Sequence, residues 1–311
     1  MTTVDLITGF LGSGKTTFMK KYVRRLMDNG HNVCILENDF GAVNVDTMLL
    51  QELSAEGCGI EMVSGACDKH CHRRRFKTKL IAMAMSGYDH VVIEPSGVFD
   101  VDEFYDTLSE SPLDRMYKIG SVIAIVDPTN KEVSEKGDYL LASQCAVAGK
   151  IVFSHINDQN GNEVPEALSH IKVSLEKIRS DRDPFSYYIA KPWNDLTEDD
   201  YSEIEHSGYK EASFVKIQDE QSSFGSVYFL NIDPSVGKLR SISEKILSDT
   251  ECGHVFRVKG FTIEDGSWYE INATHKSCEI KPIVDGQSVI IVIGEDLNKN
   301  KISEYFAKEN L

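Results

Sequence analysis

Nine residues near the start of the chain, Gly9-Phe10-Leu11-Gly12-Ser13-Gly14-Lys15-Thr16-Thr17, constrain its fold more than any other segment. They satisfy the spacing G-x-x-x-x-G-K-[ST], between an apolar run (Val4–Thr8) and a helix-patterned stretch (Lys15–Asn29). Glycines allow a turn tight enough for successive backbone N–H groups to converge on phosphate oxygens at a helix N-terminus. Lys15 then reaches the β- and γ-phosphates, and the Thr16 hydroxyl coordinates Mg²⁺. The segment predicts nucleoside triphosphate binding, with Gly9, Gly12, Ser13, Gly14, Lys15, Thr16 and Thr17 around the phosphates. It also demands an α/β fold.

The rest of the first 155 residues meets that demand. Apolar runs at Val4–Thr8, Asn32–Glu37, His90–Glu94, Ser121–Asp127 and Lys150–Phe153 are near-continuous, as expected of strands buried on both faces. Helix-like stretches at Lys15–Asn29 and Arg74–Met85 stop at or near Gly30 and Gly87. This alternation argues for right-handed crossovers and a mostly parallel, doubly wound sheet. Around Trp193–Lys210 the character changes, and the acidic stretch Asn194–Asp200 reads as a linker or an exposed helix start. Strands are expected at Glu211–Lys216, Ser226–Asn231, His254–Phe261, Trp268–Asn272 and Ser288–Gly294, with helices at Val236–Leu247 and Asn298–Lys308. A chain of 311 residues fits two domains. The expected layout is a P-loop NTPase domain over residues 1–194, a linker over 195–210, and a smaller α+β C-terminal domain over 211–311.

With 33 basic against 49 acidic residues the net charge is −16, and the only local basic run is His72-Arg73-Arg74-Arg75. A nucleic-acid partner is not expected. The apolar runs fall far short of the ~20 residues that span a bilayer, and the first residues carry no export signal. The expectation is a cytoplasmic chain with no membrane partner. Seven cysteines, at 34, 58, 67, 71, 145, 252 and 278, then suggest free thiols or metal ligands rather than disulfides.

Three further segments carry chemistry. Val91-Val92-Ile93-Glu94-Pro95-Ser96-Gly97 is a strand ending in a carboxylate and then a glycine; Glu94 holds Mg²⁺ or its water there, and the Gly97 amide senses the γ-phosphate. Leu36–Asp46 suits a switch segment that orders around triphosphate and metal. In Ser64–His72, the side chains of Cys67, His70, Cys71 and His72 supply thiolate and imidazole donors for Zn²⁺ or another late transition metal. The other reading of that cluster is a metal-free loop, or buried apolar cysteines.

Taken in order, Gly9–Thr17, Glu37–Asp46, the Cys-rich loop, Glu94–Gly97 and Val126-Asp127 resemble the CobW family of metallochaperone GTPases, kin of those that mature hydrogenase and urease. His254–Phe261 looks like the arginine–x–lysine–glycine strand of that family's C-terminal domain, and Val292-Ile293-Gly294 like its last strand. The resemblance implies Mg²⁺-dependent hydrolysis of GTP through Lys15, Thr16 and Glu94, coupled to delivery or insertion of a metal or metallo-cofactor into a client metalloprotein. It also implies a homodimer paired across the nucleotide face.

Two departures from the family stand out. Its Cys-x-Cys-Cys motif is replaced by Cys67, His70, Cys71 and His72, a set compatible with Zn, Co or Ni. Its Asn-Lys-x-Asp base reader is matched by Ser154-His155-Ile156-Asn157, followed by Asp158. A carboxylate accepts two hydrogen bonds from guanine, from N1–H and the 2-amino group, whereas an Asn amide offers one acceptor and one donor. Either Asp158 serves after a one-residue shift or guanine selection is weakened, since each mispaired group costs roughly 1–3 kcal/mol. GTP and ATP both stay open, and so does a second reading: an ATP-dependent activator or reactivation partner of a metalloenzyme that carries no metal itself. Trp193 and Trp268 read as packing residues, and Cys34 and Cys145 as core.

Overall fold

The computed structural model describes residues 1–38, 50–63, 69–95, 101–130, 135–157, 163–211, 224–275, 277–283, 286 and 288–307. The chain divides into two compact units, the first reaching to Ile217 and the second running Gln218–Leu311.

The first unit is built on seven strands: β1 (Thr2–Thr8), β2 (Val33–Asn38), β3 (Gly59–Val63), β4 (His90–Pro95), β5 (Tyr117–Val126), β6 (Lys150–Phe153) and β7 (Tyr188–Ile189). Their order is β3-β2-β4-β1-β5-β6-β7, and every pairing is parallel. A parallel sheet has to be covered on both faces, so β2 and β4 are buried along their whole length. Alternate strand residues feed two cores. Cys34, Leu36 and Ile93 join Phe76 of α3 (Lys69–Met85), Phe104 of α4 (Val101–Leu108) and Leu113 of α5 (Leu113–Met116). That core also takes in α6 (Glu135–Val147) and α7 (Val164–Lys177). On the other face Ile35 and Val92 join Phe18, Tyr22 and Leu26 of α1 (Lys15–Asp28) and Leu53 of α2 (Gln51–Ala55).

A buried carboxylate interrupts the apolar interior at β1. Asp5, 1% exposed in the middle of β1, accepts from Tyr22 Oη at 2.7 Å and from the Ser121 backbone N–H at 2.6 Å, and lies 2.6 Å from His90 Nε2. The β1–β5 register shifts between Val4 and Leu6, where the Asp5 side chain takes over a ladder amide. Burial first, and then the Asp5 charge, raise the Tyr22 phenol well above its usual range, so it stays a donor.

In the second unit the strands β8 (Phe224–Leu230), β9 (His254–Glu264), β10 (Ser267–Thr274), β11 (Cys278–Ile283) and β12 (Val289–Glu295) form a sheet of order β11-β10-β9-β12-β8, antiparallel throughout. Leu239, Ile242 and Ile246 of α9 (Val236–Ser248) and Ile302 and Phe306 of α10 (Lys299–Ala307) pack on one face, against Val258, Ile271 and Val292.

The sheet of the first unit is more uniform than the mostly parallel one expected. The stretch 195–210 is a correction. It is no linker, because it holds α8 (Glu198–Glu205), whose Ile204 is fully buried in the α1-side core. The Glu205 carbonyl accepts from Ser121 Oγ at 2.8 Å, and the Gly208 carbonyl from the Val122 amide at 2.9 Å. α3 also starts five residues before Arg74, which puts His70, Cys71 and His72 in a helical first turn instead of a loop. The strand expected at Glu211–Lys216 lies, apart from Glu211, outside the described residues.

α8 opens with a capping box in which Thr197 and Asp200 bond each other's backbone amides, and Lys191 Nζ adds bonds of 2.7 and 2.8 Å to the Asp200 carboxylate. The Lys191 bond, then the Thr197 amide, lower the Asp200 carboxyl to about 2. A depressed folded-state value contributes stability that is complete above the unfolded carboxyl's pKa of about 4 and is lost as pH falls towards 2. Asp200→Asn should cost about 1–2 kcal/mol near neutrality and flatten the fall in stability between those limits, as read by urea unfolding at a series of pH values.

Candidate nucleotide and metal site

The loop between β1 and α1 takes its shape from its glycines. Gly9 has φ +146°, and a Cβ there would stand 2.3 Å from the Ile125 carbonyl oxygen. Gly14, the N-cap of α1, has φ +94°. No side chain caps α1 and no acidic residue lies in its first turn, so its first N–H groups lack the usual internal partners and suit an anion. Lys15 is buried and donates to the Phe10 carbonyl at 3.3 Å. A phosphate oxygen is a stronger acceptor for that ammonium.

The metal side of the site lies at the C-terminal ends of β2 and β4. Thr16 Oγ1 donates to Glu94 Oε1 at 2.8 Å. Glu37 stands opposite Glu94 in the β2–β4 register, and both carboxylates are buried. Two buried carboxylates on adjacent strands repel each other unless a proton or a cation lies between them. With the Thr16 hydroxyl they form an all-oxygen set of the kind hard cations select. Around it, Ser13 Oγ and both polar atoms of Asn38 are buried with no partner among the described residues, which fits a site completed by a polar ligand. Glu37 was anticipated only as the start of a switch segment; its strand-end position beside Glu94 becomes visible once β2 and β4 are known to be neighbours.

After β6, Ser154 is fully buried and turned inward: its amide donates to the Val126 carbonyl at 2.8 Å and its hydroxyl to the same oxygen at 3.3 Å. His155 Nδ1 lies 3.3 Å from Asp127 Oδ2, and Asn157 is exposed. Trp193, expected only to pack, packs on the phosphate loop. Its ring edge lies 3.0 Å from where a Gly14 Cβ would be, and its Nε1 donates to the Phe153 carbonyl at 2.9 Å.

The Cys/His cluster is split. Adjacent helical residues point about 100° apart, and here Cys71 is half-buried while His72 is completely enclosed, with Nδ1 4.0 Å from Glu103 Oε1 of α4. His72 therefore does not share a surface with Cys71. Among the described residues no group of three or more His, Cys, Asp or Glu side chains is placed to hold a metal ion. Cys67, Gly97, Asp158 and most of the switch segment lie outside the described residues. Burial pushes the thiols of Cys34 and Cys145 up to about 12 and that of Cys58 to about 11, so all three are protonated core thiols at neutral pH.

The profile of the CobW/HypB/UreG nucleotide-binding domain matches residues 3–185. The chain belongs to this family. It is 27% identical over 158 residues to the protein named zinc chaperone YjiA of Escherichia coli K12, covering 49% of this chain and 48% of YjiA. It is 23% identical over a 356-position alignment to the zinc-regulated GTPase metalloprotein activator 1 of Schizosaccharomyces pombe, covering 95% of this chain and 83% of that protein. Among solved structures, Zn(II)-bound YjiA GTPase from E. coli aligns over 99% of this chain and 98% of its own with 20% identity and a TM-score of 0.40. The match with the first of these relatives spans about half of each chain. As a member of the CobW/HypB/UreG family, the chain is a P-loop nucleotide-binding protein of a GTPase lineage. No described helix is long and apolar enough to cross a membrane.

Gly9→Ala should lower stability by more than about 2 kcal/mol, because the methyl meets backbone at 2.3 Å in a left-handed conformation. Gly12→Ala, at φ +76° with open space around the Cβ, should cost only about 1–2 kcal/mol. Thermal unfolding of the two variants side by side checks the difference.

Proposed function

We propose that this chain is a Mg²⁺-dependent nucleoside triphosphatase of the CobW family that couples hydrolysis to handing a transition metal, or a metallo-cofactor, to a client metalloprotein. The observation that carries the reading is the 2.8 Å bond from Thr16 to Glu94, with Glu37 in register beside it, at the mouth of an uncapped helix behind a phosphate loop. Thr16, Glu94 and Glu37 are the groups that would hold Mg²⁺, which when bound supplies positive charge against the β- and γ-phosphates. The backbone amides of Gly12–Thr17 receive the phosphate oxygens, and Lys15 exchanges the Phe10 carbonyl for a phosphate oxygen. A water then attacks the γ-phosphate in line, and the protein contributes positioning and electrostatic stabilisation. Slow intrinsic turnover is the expectation, because among the described residues no group is dedicated to orienting the water.

The transported metal is a substrate of this cycle. Its candidate donors are Cys67, His70 and Cys71, and Zn²⁺ is the first ion to test because the similar YjiA is named a zinc chaperone. GTP is the expected nucleotide from family membership, and pairing of two copies belongs to the same proposal. A second reading, an ATP-driven activator that carries no metal, is favoured by the inward turn of Ser154, the exposure of Asn157 and the separation of His72 from Cys71.

Competition of GTP, ATP and XTP for one labelled nucleotide in Mg²⁺ buffer separates the two. A preference for GTP of about tenfold or more supports the metallochaperone GTPase, and ATP binding as well or better moves the activator to first place. Glu94→Gln should abolish the Mg²⁺ dependence of binding while leaving the fold intact by circular dichroism. Zn²⁺ affinity should differ between the GDP-bound and non-hydrolysable triphosphate-bound forms; equal affinity would remove the coupling.

A further inference from the structure

Phosphate loop and base-reading segment meet through a side chain that belongs to neither motif. Trp193 follows the two-residue strand β7 and lies against the phosphate loop, the end of β6 and α1. Its Cη2 lies 3.0 Å, and its Cζ3 3.6 Å, from the position a Gly14 Cβ would take, while Ser154 Cβ is 3.6 Å from that same position. Its Nε1 donates to the carbonyl of Phe153, the last residue of β6, at 2.9 Å. Its ring meets that of Phe18, one turn into α1, edge-on at 5.4 Å. The Ser154 hydroxyl is directed at Val126, and Ser154 Cβ and the indole lie side by side against Gly14, so the indole braces the end of β6 where it meets the phosphate loop.

The arrangement has a physical purpose. Phosphates are held by amides whose position is set by β1 and α1, whereas a base is held by residues that follow β6. A ligand gains from both only if the distance between the two is fixed, and an error of about 1 Å is expensive. Two residues of β7 provide little backbone to fix that distance, and an indole supplies a large rigid area with few torsions to freeze. Lys21 Nζ, bonded to Asn194 Oδ1 at 2.9 Å, pins the next residue of the same loop to α1.

We infer that Trp193 is a positioning residue that sets Ser154–Asn157 against the phosphate loop and thereby determines how much of the nucleotide affinity comes from the base. This rests on the proposed reading of the site as one for a nucleoside triphosphate. The requirement is mutual, since a Cβ at position 14 would crowd the ring at 3.0 Å and force it to give way.

The experiment is calorimetric titration of GTP, ATP and inorganic tripolyphosphate, with Mg²⁺, into the full chain and its Trp193→Leu and Trp193→Phe variants. Trp193→Leu should lose about tenfold in affinity for the preferred nucleotide and keep its tripolyphosphate affinity within about twofold. Trp193→Phe, which retains a ring but no N–H, should fall between. Equal losses for nucleotide and tripolyphosphate would show a general support of the loop and overturn the inference, as would no loss for either. If circular dichroism shows that Trp193→Leu does not fold, Trp193→Phe decides: its nucleotide-to-tripolyphosphate affinity ratio must fall, and an unchanged ratio overturns the inference. With Trp268→Phe leaving Trp193 as the one tryptophan, nucleotide should shift the emission, and a silent indole counts against the role. An unsubstituted chain that binds tripolyphosphate as tightly as either nucleotide would instead defeat the nucleotide reading of the site, a result distinct from any variant effect.

Discussion

A carboxylate sealed from water holds the first unit together. Asp5 joins four elements at once: its own strand β1, α1 through Tyr22, β5 through the Ser121 amide and β4 through His90. β1 and α1 are the two walls of the phosphate loop, so the cross-tie between them fixes where Gly9 and Lys15 stand. Such a group stabilises only while every partner is present, because a buried charge that loses a hydrogen bond has no water to replace it. Gly120 belongs to the same arrangement, since a Cβ there would come within 2.2 Å of Asp5 Oδ1. The carboxyl end of β1 is thus defined from beneath by a buried polar knot.

Above that knot, chemistry collects where the strand order dictates. From β1 the chain crosses over β4 to reach β2, and later returns across β1 to form β5, so connections diverge to either side of the central strand. A crevice at the carboxyl ends of the strands follows from that divergence. It collects the phosphate loop from β1, Glu37 from β2 and Glu94 from β4. The donors there are hard oxygens, the kind that hard cations select.

How far the sequence was legible depended on burial. Long runs such as Val91–Ile93 and Ser121–Val126 are buried on both faces and read directly as strands. β3 and β11, with charged residues in partly exposed positions, and the two-residue β7 give no comparable signal. The acidic surface of α8 hid its buried apolar anchor, Ile204. In the site, residues fixed by local chemistry were readable: the glycines, Lys15, Thr16 and Glu94. Residues whose role depends on what lies across from them were not. Glu37 needed the β2–β4 register, Trp193 needed the position of Gly14, and the enclosure of His72 needed α4 to lie against α3.

The brevity of β7 reaches beyond the nucleotide. A sheet margin normally exposes a row of free amides and carbonyls on which a foreign strand can template itself. Here the margin beside β6 is only Tyr188–Ile189, which offers an incoming chain too few ladder bonds to offset the entropy lost in ordering it. Lateral growth of this sheet into a continuous ribbon is therefore poorly supported on that side, and Pro184 and Pro192 on either side of the pair withhold further amides from an incoming strand.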